Sequence, residues 1–128
     1  MGYDRKYIVW AFGYIVIGMI LGIFMAATHN HSQFVTHAHI NLAGFLLSFV
    51  YGMVHKLWLG QANSTMAKMQ FIIHQTAVVM MTTGLFLLYG KFVPEDQVEP
   101  VLKVSTVSVL IGVILMIYMF VKSSSKKQ

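Results

Sequence analysis

The chain has 128 residues, of which 57% are hydrophobic and 10% charged, and its mean hydropathy is +0.69. Such a balance excludes an ordinary water-soluble domain and implies an integral membrane protein. The absence of Cys excludes disulfides and thiolate metal sites, and a formal net charge of +5 spread over helix ends points to headgroup anchoring, with no nucleic-acid partner.

Four apolar segments occupy Tyr7–Thr28, Thr36–Trp58, Met66–Tyr89 and Glu99–Phe120. Each has about the 20 residues needed to cross the hydrocarbon core. The first is too long for a signal-peptide core and lacks a small-residue cleavage site, so it reads as a mature helix. No domain boundary, repeat or low-complexity tract interrupts them. The expected fold is all-α, a single transmembrane domain over residues 1–128 built as a four-helix bundle.

The first helix repeats small residues at Gly18, Gly22 and Ala26. Such a stripe lets two helices approach closely, either within the bundle or across a homo-oligomer. The first connection carries His29 and His31, followed after five residues by His37 and His39. Four imidazoles in eleven residues suit copper or zinc, provided the loop folds back over the helix end; otherwise His29 and His31 are solvated loop residues.

The second helix is the centre of the reading. With Gly44 at zero and steps of about 100° per residue, His37 and His55 fall near 20°, Ser48 near 40°, Asn41 near 60° and Gly52 near 80°. His39 points away, near 220°. Two imidazoles thus bracket a stripe of small residues, with room for something broad and flat. Ionisable residues inside a membrane are costly and point to function. His37 and His55 lie about 27 Å apart along the axis and cannot share one centre.

The third helix carries His74, about 9 Å deeper than Lys68 and in the same leaflet as His55. Hydrogen bonding to a backbone carbonyl is the structural alternative for His74, and snorkelling for His55. Met53 and Met81 are candidate axial thioethers, although packing explains most of the methionines. In the fourth helix Ser105, Ser108 and Gly112 form a small face suited to packing. Pro94 and Pro100 bracket an acidic turn of Glu95, Asp96 and Glu99 and are expected to end helices.

Arg5, Lys6, Lys56, Lys68, Lys122, Lys126 and Lys127 cluster at one side, against only Lys91 and Lys103 at the other. The positive-inside rule then places both termini in the cytoplasm and the His-rich loop outside an inner membrane. Trp10 and Trp58 suit the cytoplasmic interface.

The run MAATHNHSQFVTHAHINLAGF resembles a small four-helix membrane family related to the heme–copper oxidase (cytochrome c oxidase) subunit I. That family shows a Gly-rich first helix, a His-containing loop, the phrase HAHxNLxGW, and a third helix with a phrase like FWLHNxG. Ala27–His31, His37–Ala38–His39, Asn41–Leu42 and Gly44 match the first parts, and Phe71–Gln75 matches the last. Phe45 stands where Trp is usual, and His55 where an aromatic is more common. The resemblance implies heme b or copper bound through His37, His39 and His74. The oxidase's other helices and ligands are missing, so no complete proton pump is expected.

Three functions follow as expectations. The first is a small cytochrome holding heme b for electron transfer or small-gas binding, with a redox partner or respiratory complex. His37, His55 and His74 would be axial ligands, His39 a ligand or orienting group, and Asn41 a hydrogen-bond donor. Gly44 and Gly52 would give the porphyrin room, and Arg5, Lys56 and Lys68 would meet propionates. The second is a copper- or zinc-binding carrier, sensor or oxidase-assembly factor using His29, His31, His37 and His39. The third is a structural subunit of a larger respiratory complex. Nothing in the sequence resembles a hydrolase.

Overall fold

The computed structural model describes residues 1–60 and 64–127, with side chains to residue 123. The side chains of Lys126 and Lys127, counted above toward orientation, lie outside the described residues. Four helices are long and apolar enough to cross a membrane. They are α1 (Tyr3–Thr28), α2 (Phe34–Leu59), α3 (Thr65–Tyr89) and α4 (Glu95–Lys127). No strand occurs among the described residues. The all-helical bundle expected from the apolar segments is therefore observed.

Each helix end has a local cause. His29 closes α1 in the left-handed region, at φ 54°. Ser64 caps α3, its Oγ accepting the Ala67 N–H at 3.1 Å and so satisfying one of the helix's free donors. Gly60 ends α2 at φ 60°, a conformation glycine adopts without steric cost.

α4 begins earlier than its apolar run suggests. Glu95 and Asp96 form its first turn and Pro100 lies inside it, so the expected acidic turn is helical. The cause is at Pro94, whose carbonyl accepts the N–H groups of Gln97 and Val98. Carboxylates at a helix start are favoured by the helix dipole, while Pro100, in the second turn, lacks the N–H that would bond the Asp96 carbonyl and is carried inside the helix nonetheless.

α2 is not uniform. It is π-helical at Ile40–Leu46 and again at His55–Leu59, with α-helical Leu47–Val54 between. A π turn bonds residue i to i+5 and holds more residues per revolution, so a constant 100° step fails inside it. The stripe of Gly44, Ser48, Gly52 and His55 is nevertheless buried along its whole length.

The helices associate as two hairpins. α1 packs along α2, and α3 forms its most extensive contact with α4, while α1 and α3 touch sparingly. Two apolar clusters result. One gathers Tyr3, Tyr7, Tyr51, Ala67, Met116 and Met119; the other gathers Tyr14, Ile40, Ala43, Val78, Met81 and Leu85. Lipid competes equally well for apolar side chains, so hydrogen bonds and close packing must join the hairpins. Tyr14 Oη donates to Gln75 Oε1 at 2.7 Å, and Gln75 Nε2 donates to Ser48 Oγ at 3.1 Å. Two turns earlier on α1, Tyr7 Oη donates to Gln70 Oε1, and Gln70 Nε2 donates to the Gly112 carbonyl at 3.2 Å.

Candidate functional site

His55 opens the second π segment of α2, and His74 lies mid-way along α3. Both are fully buried. The antiparallel helices bring them to the same end of the bundle, where both meet Tyr7 of α1. The Tyr7 ring stacks on His55 with centroids 5.7 Å apart, and lies 6.3 Å from His74, tilted by 53°. Tyr3 flanks His55 at 5.8 Å, and Tyr51 meets His74 edge-on at 5.0 Å. Gly112 of α4 faces the His74 Cβ, where a methyl group would stand 3.6 Å away.

Neither ring nitrogen of His55 or His74 makes a hydrogen bond of normal geometry, and Tyr51 Oη is likewise buried and unpaired. The Ala43 backbone interacts with the His74 ring without completing such a bond. Each unpaired buried group costs about 1–3 kcal/mol. Five atoms on three neighbouring side chains thus lack a hydrogen bond of normal geometry, the His74 ring being engaged only by the Ala43 backbone. Asp4, itself buried, sits at the same end. Its backbone carbonyl faces Gly52.

The small-residue stripe of α2 is occupied by α1. An ideal Cβ on Gly44 would stand 2.6 Å from Tyr14 Cγ, and one on Gly52 would stand 2.9 Å from Ile8 Cδ1. Ser48 is taken by Gln75. The room expected for a flat cofactor is thus filled by side chains of this chain. Gly18 and Gly22 of α1 belong to the same seam and receive Asn41 and His37.

The outer residues are arranged separately. His37 is half-buried, its Nε2 accepting from Asn41 Nδ2 at 3.3 Å, while His37 Nδ1 and Asn41 Oδ1 are buried and unpaired. His39 Nδ1 lies 2.8 Å from the Val35 carbonyl. A carbonyl only accepts, so Nδ1 carries the proton and Nε2 keeps its lone pair, the tautomer that a metal-ligating His commonly adopts. His29 and His31 are exposed. Among the described residues no three His, Asp or Glu side chains gather closely enough to hold a metal ion. The structure therefore sets His55 and His74 each against the Tyr7 ring and leaves His29, His31, His37 and His39 unassembled among the described residues.

Tyr7, Tyr51 and Gln70 escaped the sequence reading. The available signal was the pair of glutamines, Gln70 and Gln75, within one apolar span and the two tyrosines, Tyr7 and Tyr14, within another, polar groups that a membrane span retains only with partners. Comparison of the chain with models of protein families, with curated proteins and with solved structures gives no match, so the chemistry of the site is read from its own residues.

Proposed function

We propose that the protein is a small membrane redox protein whose His55 and His74 imidazoles ligate an iron centre, with heme b as the group; the HAHxNLxG resemblance itself implies heme b or copper through His37, His39 and His74, and His55 stands outside its pattern. One observation carries this reading: two fully buried histidines from adjacent helices face a common tyrosine with all four ring nitrogens unpaired. Imidazole nitrogens are suitable axial donors for heme iron. Heme, when bound, supplies a one-electron couple.

This chain's own residues do the rest. Tyr7 stacks on the His55 ring, Tyr3 lies tilted beside it, and Tyr51 meets His74 edge-on, which together fix both imidazoles. The apolar cluster of Tyr3, Tyr7, Tyr51, Ala67, Met116 and Met119 surrounds this end of the bundle and keeps water from the two rings. The charge asymmetry supports both termini lying in the cytoplasm of an inner-membrane protein. A redox partner within the membrane, or a respiratory complex, fits an electron carrier. The small-residue faces expected to join two copies are used inside the bundle instead, Gly112 against His74 and Gln70, and Gly18 and Gly22 against Asn41 and His37, with Ser105 fully buried.

A second reading is favoured by the filled stripe beside Gly44 and Gly52. A copper or zinc ion needs no flat slot and suits an imidazole pair completed by another donor. One experiment separates the two. Protein expressed with heme precursor and copper is purified, and its pyridine hemochrome spectrum and iron, copper and zinc contents are measured for the wild type, His55→Ala, His74→Ala and His29→Ala/His31→Ala. A b-type spectrum lost in the first two variants supports heme on the inner pair. Copper or zinc without hemochrome supports the second reading, and its loss in the loop double variant moves that site to the outer cluster. A protein with no Soret band on heme addition and no bound metal overturns both.

A further inference from the structure

α1 and α3 are joined at Tyr14 and Gln75 and diverge toward the end bearing the first and third connections, leaving a groove of about 980 Å³. Its walls include Ile17, Leu21 and Phe24 from α1 and Val79, Thr83 and Phe86 from α3. From Tyr14 to Phe24 the groove follows α1 for about 15 Å, half of a hydrocarbon core of about 30 Å. It is therefore one leaflet deep.

Polarity is graded along it. Asn30, Ser32 and Lys91 stand at the mouth, and below them the walls are overwhelmingly apolar. Gln33 closes one side, its amide donating to the Phe86 carbonyl at 3.0 Å. Lys91 is exposed and makes no ion pair among the described residues, and no Asp or Glu lines the groove. A cation at the interface above an apolar trough of leaflet depth matches an amphiphile with a negative head. A spanning helix of a second copy would need a contact about twice as long.

We propose that this groove holds an acyl chain of one anionic phospholipid, with the headgroup phosphate on the Lys91 ammonium. The site is separate from the His55–His74 pair and does not depend on what that pair binds. The test uses full-length protein reconstituted in vesicles of equal phosphatidylglycerol and phosphatidylcholine, extracted in mild detergent and weighed by native mass spectrometry. One retained phospholipid per protomer is expected, with phosphatidylglycerol favoured about five-fold, as one lysine near a membrane surface implies. Lys91→Gln should bring the two lipids to near parity, and Thr83→Trp, which fills the trough, should abolish retention. Equal retention of both lipids by the wild type, or an unchanged preference in Lys91→Gln, overturns the proposal. So does a lipid-free dimer cross-linked through Thr83→Cys. Lys91 is exposed, so that arm decides the matter even where Thr83→Trp fails to fold.

Discussion

Gly44 of α2 lies so close to Tyr14 of α1 that a methyl group on it would meet the tyrosine's Cγ at 2.6 Å and its Cβ at 3.1 Å. The contact falls near the root of the side chain, so the ring cannot swing aside without leaving Gln75, to which its hydroxyl is bonded at 2.7 Å. Gly44→Ala is expected to destabilise the bundle by about 1–3 kcal/mol through overpacking. At Gly18 the obstruction is the Asn41 carboxamide, the movable end of its side chain, so Gly18→Ala should cost less. Thermal unfolding of the two variants in one detergent gives the order directly. A less stable Gly18 variant would show the seam to be packed differently.

The orphaned imidazoles predict opposite effects with and without a bound group. In protein stripped of metal and heme, His74→Phe removes two buried unpaired nitrogens and should raise stability by about 1–3 kcal/mol. In protein carrying a ligated centre, the same change should lower it, because ligand binding to the native state is lost. Melting curves of the variant and wild type, each before and after loading, check the reversal of sign.

The Tyr14–Gln75–Ser48 chain makes a prediction about how the hairpins are joined. Hydrogen bonds between membrane helices contribute about 0.6 kcal/mol on average. A double-mutant cycle of Tyr14→Phe and Gln75→Leu should give a coupling of that size. Zero coupling would mean that the tyrosine ring alone supplies the contact.

At the start of α3, Ser64→Ala removes the acceptor for the Ala67 N–H and should cost about 1 kcal/mol, whereas Ser64→Asp should retain most of the stability. Amide exchange at residues 66 and 67 reports the loss locally.

The four spans were legible because a membrane requires about 20 apolar residues in succession, and little else in a short chain satisfies that. The common depth of His55 and His74 was legible too, since a short connection makes their helices antiparallel. The partner of the Gly44–Gly52 stripe was not. A row of glycines records that something approaches closely, and a tyrosine and an isoleucine leave the same record as a flat cofactor. The π segments were hidden because their wider turn has no composition of its own. The early start of α4 was hidden because Pro100 reads as a stop unless the carbonyl of Pro94 is known to open the helix. Tyr51 carries no signal of its own in the sequence. Only its place against His74, with its hydroxyl unpaired, sets it apart.

The division into two hairpins bears on biogenesis. During synthesis α1 and α2 are complete first and can enter the lipid together, already carrying Tyr7 beside His55. His74 arrives with the later pair. A centre bound by both imidazoles would rivet the early half of the protein to the late half, and its capture would be the last event of maturation.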